Sequence, residues 1–263
     1  MSDWLIHLGG GVIASVVLML ILWLVQLRTR NAGIVDVGWT FGIGALVVVL
    51  ALVTPGEQIR RVIVAAMTAA WSLRLGVHLA RRVAGEPEDG RYRNLREWAG
   101  PRQQPVLLMF FLLQATWVVL FALPQYVAMH NSAPLGLTDA AAVGVFALSI
   151  FGESLADRQL ARFRRDPSNR GEVCREGLWH YSRHPNYFFE WIHWFTYPLL
   201  AIGTGSWAWL TLLGPALMLL FLLKVTGVPP TETRALQSRG DRYRAYQRST
   251  SVFFPWFPKE HTT

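Results

Sequence analysis

Residues 5–27 read LIHLGGGVIASVVLMLILWLVQL, an apolar stretch without an acidic or basic side chain other than His7. About 20 residues of helix are enough to cross the hydrocarbon core of a bilayer. Arg28 and Arg30 follow this stretch directly, and no basic residue precedes it. A secretory signal peptide has the opposite layout, so the stretch predicts a membrane span that the protein retains.

Beyond this first span, six more apolar stretches follow along the chain. Hydrophobic residues make up 52% of the 263 residues and charged residues only 16%, which is too few charges for a soluble domain. Unpaired backbone groups cannot face lipid, so the spans are predicted to be helices and the fold class is an all-α integral membrane protein. The seven predicted spans are 5–27, 33–53, 62–80, 105–127, 138–156, 185–203 and 206–225.

The positions of the 25 Lys and Arg residues predict the orientation of these seven transmembrane helices. Most of them follow the first span, fill the loops 81–104 and 157–184, or lie after residue 225, whereas the alternate loops hold only Arg60 and Arg61. Basic loops stay in the cytoplasm, so the N-terminus is predicted to be outside and the C-terminus cytoplasmic. This topology accounts for the net charge of +8, and no nucleic-acid partner is expected.

Several classes of site are not expected in this sequence. The single cysteine, Cys174, excludes a disulfide scaffold and any multi-cysteine zinc or iron–sulfur site, and no metal site is predicted. The sequence has no Gly-x-Gly-x-x-Gly after a strand and no Walker loop, so neither a Rossmann nor a P-loop domain is expected.

Three ionisable residues lie in the second and third spans, where such side chains are costly and usually functional. Asp36 lies at the cytoplasmic start of the second span, three residues before Trp39. Arg74 and His78 are four residues apart and share a face of the third span. In one interpretation Asp36 only neutralises Arg74 between two helices. In the other, these side chains frame a pocket.

The sixth span carries a polar and aromatic face directly after an arginine-rich loop. Pro185 suits the first turn of a helix. From there one helical face holds Asn186, Glu190, His193, Trp194 and Tyr197. Lipid would not tolerate this face, so it must look inward, either to a ligand or to an interhelical seam of hydrogen bonds.

If the fifth span continues as a helix beyond the membrane, Glu153, Asp157 and Arg164 stack along one side. Arginine binds phosphate through its fixed fork of donors, and Arg164 is the candidate for that role. Arg158 and Arg165 are interpreted instead as surface residues that meet anionic lipid.

The residues after 225 predict a short amphipathic helix that returns to the membrane surface. Glu232, Arg234, Tyr243 and Tyr246 could close a nucleotide pocket there. The alternative is an interfacial helix whose charges are simply solvated.

A resemblance appears at residues 179–187, which read WHYSRHPNY and are followed by Glu190. This element resembles the membrane superfamily of steroid 5-alpha reductases, sterol reductases and isoprenylcysteine carboxyl methyltransferases. The chain is most similar to a bacterial branch of steroid-5-alpha-reductase-like proteins. In that branch Asp36-Val-Gly-Trp39 and Glu88-Asp89-x-Arg91-Tyr92 also match.

The resemblance implies a seven-helix reductase that uses NADPH and a lipid or steroid-like substrate. It implies one membrane domain, 1–263, in which helices of 1–130 hold the substrate and 138–258 hold the cofactor. The protein is expected in the bacterial inner membrane, with the cofactor site facing the cytoplasm. The implied cofactor contacts are Asp157, Arg164, Arg183, His184, Asn186, Tyr187, Glu190, Trp194, Glu232, Arg234 and Tyr243.

The substrate side departs from the resembling reductases. Those enzymes use a Glu on the second span and a Tyr on the third, and here Asp36 falls near the first position and Trp71 near the second. Indole does not donate a proton usefully, so the acid must differ. The candidate catalytic residues are therefore Asp36, His78 and Tyr187, and the candidate substrate contacts are Trp39, Trp71 and Arg74.

Three functions follow from these observations. The first is NADPH-dependent reduction of a carbon–carbon double bond conjugated to a carbonyl, in which the cofactor carries the chemistry. The second is methyl transfer from S-adenosylmethionine, because Arg183-His184-Pro185 and Glu232 also fit the isoprenylcysteine carboxyl methyltransferases. The third is a lipid-binding or transport protein without enzymatic activity.

Overall fold

The computed structural model describes residues 2–259, with Ser2 by its backbone alone. This part of the chain is helical and contains no strand, which confirms the all-α class. The α-helices are α1 (Ser2–Thr29), α2 (Ile34–Val53), α3 (Gln58–Gly85), α4 (Gly90–Ala99), α5 (Gln103–Met129), α6 (Leu137–Arg165), α7 (Leu178–Tyr181), α8 (Pro185–His193), α9 (Thr196–Leu200), α10 (Leu213–Leu220), α11 (Val228–Arg239) and α12 (Asp241–Ser249). Short 3-10 helices cover Gly100–Arg102, Pro167–Asn169 and Gly205–Leu212, and a π-helical turn covers Phe221–Val225.

Six helical segments within residues 2–259 are long and apolar enough to cross a membrane. These segments are Asp3–Thr29, Ile34–Val53, Gln58–Gly85, Gly90–Met129, Leu137–Arg165 and Gly205–Arg239. A multi-pass membrane protein is therefore supported, with six candidate spans where the sequence predicts seven.

The predicted sixth span, 185–203, is not one helix. It consists of α8 and α9, which are nine and five residues long and are separated by a turn at Trp194 and Phe195. The turn is explained by a proline. Pro198 has no N–H, so the Trp194 carbonyl has no donor four residues ahead. Irregular backbone at membrane depth is tolerated only where protein or a cavity covers it.

The described residues form two compact units, and the first contains residues up to Gly136 together with Leu200–Gly214. Here α2 packs against α1, α3 and α5. The helices pack closely at Gly42, where an added Cβ would lie 3.3 Å from both Leu18 and Val118. Asn131 ties the separate segment to this unit by donating to the Leu200 carbonyl at 2.9 Å.

The second unit contains Leu137–Leu199 and the described residues from Pro215 onward. Its main contact joins α6 to α8, where Gly152 lies directly against the ring of Phe189. The Trp179 indole of α7 donates to the Ala156 carbonyl of α6 at 2.9 Å. A small apolar core then joins α11 to α12, and it consists of Ala235, Tyr243 and Tyr246 with Val173 and Leu236 against them.

Candidate functional site

Asp36 is the centre of a polar network in the first unit. Its Oδ1 accepts a hydrogen bond from the Tyr92 hydroxyl at 2.6 Å, and its Oδ2 lies 2.9 Å from the Arg91 guanidinium. Arg91 also donates to Asp89 at 3.3 Å, and Arg82 forms an ion pair with the same carboxylate. The Tyr92 side chain is buried in this network. Asp36 is therefore held by one cation and one phenol.

The fourth helix brings Tyr92 to this position. Asp89 caps α4 by accepting from the Arg91 backbone N–H at 2.9 Å, which fixes the first turn. Glu88 accepts from the Ala32 backbone N–H at 2.7 Å and from the Arg96 guanidinium at 3.0 Å. These bonds connect the start of α4 to the turn before α2, and Asp36 lies in the first turn of α2.

A small cleft opens beside Asp36 in the same unit. It encloses about 270 Å³, including the solvent at its mouth. Apart from that solvent the cleft has room for about one water molecule, so only a single small polar group fits beside this carboxylate. The lining residues are Asn31, Gly33, Asp36, Leu79, Arg82, Val83, Pro87 and Asp89.

The other residues predicted on the substrate side lie on α2 and α3. Trp39 packs edge-on against the buried ring of Trp71, with 6.1 Å between the centroids. Arg74 is half-buried, and His78 is exposed on the same helix. Asp36 forms its ion pair with Arg91, a cation that neither interpretation of Asp36 and Arg74 had included.

In the second unit, Glu232 collects four donors. Its Oε1 lies 2.7 Å from Arg183 Nε, 3.3 Å from His184 Nε2 and 3.4 Å from the Tyr243 hydroxyl. Its Oε2 accepts from the Gln247 amide at 2.8 Å. We call these five residues the clasp. They join the turn before α8 to α11 and α12.

The clasp is extended by residues 250–258, which we call the strap. Arg183 donates from its guanidinium to the Thr250 carbonyl at 2.7 Å and from its backbone to the Ser251 carbonyl at 2.8 Å. The Ser182 hydroxyl donates to the Phe253 carbonyl at 2.8 Å. The arginine of the Arg-His-Pro-Asn-Tyr element is thus engaged by backbone as well as by Glu232.

Burial changes the protonation of the clasp. Burial lowers the pKa of His184, although the Glu232 carboxylate opposes this effect by hydrogen bonding and charge. Burial and the nearby Glu232 charge both raise the pKa of Tyr243. Near neutral pH the imidazole is therefore neutral and the phenol is protonated.

A second set of polar contacts lies at the start of α8. The Asn186 amide donates to Asp157 of α6 at 3.2 Å, and the Tyr187 and Thr231 hydroxyls lie 3.1 Å apart. We call Asp157, Asn186, Tyr187 and Thr231 the rim. The ring of Tyr187 stacks on His184 with 5.2 Å between the centroids. The rim therefore brings α6, α8 and α11 together beside the clasp.

Arg164 and Arg234 are both exposed, and they lie on α6 and α11 respectively. The predicted continuation of the fifth span is confirmed, since α6 extends to Arg165. Arg164 is seven residues beyond Asp157, so the two share a face of α6.

The remaining predicted contacts are buried around the break between α8 and α9. Glu190 accepts from the Trp194 indole at 3.3 Å. His193 and the Tyr197 hydroxyl, which belong to the same predicted face, lie 3.0 Å apart. The buried Thr196 hydroxyl has no hydrogen-bond partner among the described residues. The predicted polar face is thus present, and part of it is an internal seam.

The profile of the family described as "Protein of unknown function (DUF1295)" matches residues 22–250. The chain belongs to the DUF1295 family. The matched region includes Asp36, Tyr92 and the rim, and it ends at Thr250, the first residue of the strap.

A relative of this DUF1295 chain is the uncharacterized protein C594.04c of Schizosaccharomyces pombe (strain 972 / ATCC 24843). The two are 27% identical over 285 aligned positions, which cover 95% of this chain and 80% of the relative. No solved structure matches the DUF1295 chain.

Sequence reasoning named the loop that carries Arg91 and Tyr92 but did not place either residue in the site of this DUF1295 chain. The sequence signal for this loop was the Glu88-Asp89-x-Arg91-Tyr92 motif. In the structure the Arg91 and Tyr92 side chains of that motif contact Asp36. Thr231 and Gln247 had no such signal, because neither residue type is unusual on an exposed helix.

Proposed function

We propose that this protein is an NADPH-dependent oxidoreductase that reduces a carbon–carbon double bond conjugated to a carbonyl in a membrane lipid or steroid-like substrate. The proposal rests on the resemblance of this DUF1295 chain to the steroid 5-alpha reductase superfamily and its bacterial branch. The observation that carries it is the rim, where polar side chains of α6, α8 and α11 meet beside the first turn of α8.

The rim suits the phosphates of a nucleotide. The first N–H groups of α8, which begins at Pro185, have no acceptor within the helix and favour anions. Arg164 is exposed on the face of α6 that carries Asp157, so its guanidinium is available for a phosphate. The stacked rings of His184 and Tyr187 add a flat surface at the same place.

The clasp is better suited to supporting the rim than to contacting the nucleotide directly. Its residues bond to one another, so a nucleotide would have to displace those bonds to reach them. Glu232 follows Thr231 of the rim directly, and His184 stacks on Tyr187. The clasp therefore holds the rim in position. The predicted cofactor contacts to which this applies are Arg183, His184, Glu232 and Tyr243.

Asp36 and Tyr92 suit the substrate carbonyl. Bound NADPH would supply the hydride that is added to the double bond. The Tyr92 hydroxyl oxygen lies 2.6 Å from Asp36 Oδ1. As the hydride adds to the β-carbon, this phenol would exchange its bond to Asp36 for one to the carbonyl oxygen and transfer its proton there. The resulting enol would tautomerise to the saturated carbonyl, and Tyr92 would regain a proton from water. Arg91 balances the Asp36 charge throughout. Tyr92 thus provides the phenol that the resemblance expects on the third span, where this chain has Trp71.

Ligand-dependent thermal unfolding of the detergent-purified protein tests the nucleotide assignment. NADPH should raise the Tm, and NADH should raise it less, because it lacks the 2′-phosphate. Arg164→Ala should weaken the NADPH effect. Arg162→Ala is the matched control, because Arg162 is exposed on the same helix but lies about 140° away from Asp157 around its axis.

Other outcomes would contradict the proposal. Stabilisation by S-adenosylmethionine alone would favour the methyltransferase. No response to NADPH, NADH or S-adenosylmethionine, with folding retained, would favour a lipid-binding or transport protein. Both results would leave the Asp36–Tyr92 geometry in place but remove its reductase role.

We also propose that the protein lies in the bacterial inner membrane with the rim facing the cytoplasm. Cysteine replacement tests this orientation. A cysteine at exposed Gln237 should react with a membrane-impermeant maleimide in inverted vesicles and not in intact spheroplasts. The opposite pattern would reverse the orientation.

A further inference from the structure

The strap displays large aromatic side chains to the outside. Phe254, Trp256 and Phe257 are 52%, 72% and 75% exposed. Large apolar side chains that cluster on a surface mark an interaction site more often than single ones do. Three such residues within four positions therefore indicate an interaction surface.

The exposure does not come from a loose segment. The Trp256 backbone donates to the Tyr181 carbonyl at 2.9 Å, and the Lys259 backbone donates to the Ser249 carbonyl at 2.9 Å. Phe253 is buried and packs against Phe188 and Trp191 of α8, with centroid separations of 6.0 and 5.8 Å. The strap thus buries one aromatic ring and presents the next ones outward.

Basic side chains flank the exposed rings. Arg248 precedes the strap and Lys259 follows it, and both are exposed. Arg244, one turn before Arg248 on α12, is exposed as well, but it forms an ion pair with Asp241 at 2.8 Å. The surface around the strap therefore combines large aromatic rings with positive charge.

We propose that the strap is a membrane-interface anchor that seats its exposed rings among the headgroups of an anionic bilayer leaflet. Tryptophan concentrates at the membrane–water interface, where its apolar ring and polar N–H are both accommodated. Arg248 and Lys259 provide the charge complementarity, since basic residues close to a membrane surface are attracted to anionic lipid. The strap also packs on α8, the first half of a predicted membrane span.

The anchor is connected to the clasp by backbone carbonyl groups of the strap. The Thr250 and Ser251 carbonyls that hold Arg183 belong to the strap. Seating of the strap in the bilayer therefore stabilises the segment on which Arg183 and Glu232 depend. This inference does not rest on the proposed reductase activity.

Site-directed fluorescence quenching tests the anchor. Cys174 is the one cysteine of the sequence and is buried, so a cysteine placed at Trp256 can be labelled selectively with a small fluorophore. The matched control is a cysteine at Gln237, which is exposed on α11 of the same unit. Both variants are reconstituted in vesicles of equal parts phosphatidylglycerol and phosphatidylcholine.

A headgroup-region spin label on the lipid should quench the Trp256→Cys probe at least about twofold more than the Gln237→Cys probe. Aqueous iodide should show the reverse order. In pure phosphatidylcholine, or after Arg248→Gln with Lys259→Gln, the lipid quenching should decrease. Equal iodide quenching at both sites would overturn the proposal. So would protection that depends on protein concentration, since a second copy of the chain would then cover the strap.

Discussion

The Arg183 guanidinium and the Glu232 carboxylate lie 2.7 Å apart, although 49 positions separate them in the sequence. Their side chains are only 10% and 15% exposed, so water screens the pair weakly. His184, Tyr243 and Gln247 complete the coordination of the carboxylate. The pair therefore connects the Arg-His-Pro-Asn-Tyr element to α11 and α12.

Removing the arginine of this pair should destabilise the second unit. Arg183→Met leaves the Glu232 charge largely buried and uncompensated, which costs about 3 kcal/mol of unfolding free energy. The matched control is Arg242→Met, because Arg242 pairs with Glu172 in an exposed ion pair at 59% and 46% exposure. That change should cost less than about 1 kcal/mol. Denaturant unfolding in detergent measures both, and equal losses would contradict the assignment.

Tyr92→Phe should separate catalysis from stability. The change removes the hydroxyl that donates to Asp36 and should lower the rate of enone reduction roughly a hundredfold or more. The control is Tyr126→Phe, which removes a hydroxyl 2.9 Å from His7 in the same unit. Both changes should cost about 1 kcal/mol of stability, but the control should keep its activity. Activity that survives in Tyr92→Phe would remove this residue from the mechanism.

The clasp should weaken in mild acid. Because the pKa of His184 lies below its ordinary value of 6.5, the unfolded chain binds the proton first as the pH falls. Stability is therefore unaffected above pH 6.5, and it decreases as the pH falls from 6.5 toward the folded pKa. Unfolding free energies measured across this window should flatten in His184→Gln. They should keep their slope in His180→Gln, where the histidine is exposed, and an unchanged slope in both variants would refute the attribution.

Close packing of α6 against α8 should make Gly152 intolerant of a side chain. Gly152→Ala places a methyl group against the Phe189 ring and should cost roughly 1–3 kcal/mol. Gly144 lies on the same helix with no other residue within 4 Å of its added Cβ. Gly144→Ala should therefore be neutral or stabilise by up to about 1 kcal/mol, because alanine favours helix. Thermal unfolding compares the two, and equal effects would disprove the packing argument.

Hydropathy was sufficient to predict most of the membrane helices but not how one of them is interrupted. Four of the first five predicted spans lie entirely within a helix, as 138–156 does within α6. The other, 33–53, begins one residue before α2. The polar extensions of α3 and α6 escape a hydropathy criterion, because they are helical without being apolar. The break at Trp194 depends on one missing N–H, that of Pro198, which average hydropathy does not register.

The sequence predicts which residues belong to the candidate site better than it predicts which of them bond to one another. Asp36 and Glu232 stand out because each is a carboxylate in or beside a predicted span. Their partners, Arg91 and Arg183, come from segments 55 and 49 positions away, and local periodicity carries no information at that separation. Polarity therefore identifies candidate groups, whereas the fold decides which of them bond to one another.

The backbone contacts of Arg183 also set an order of assembly. The chain must be synthesised through Thr250 and Ser251 before this arginine can find all its acceptors. The turn before α8 therefore stays incompletely bonded while 67 further residues are synthesised. During biogenesis this turn is therefore open to quality-control proteases, and ribosomal pausing between positions 183 and 250 would prolong that exposure.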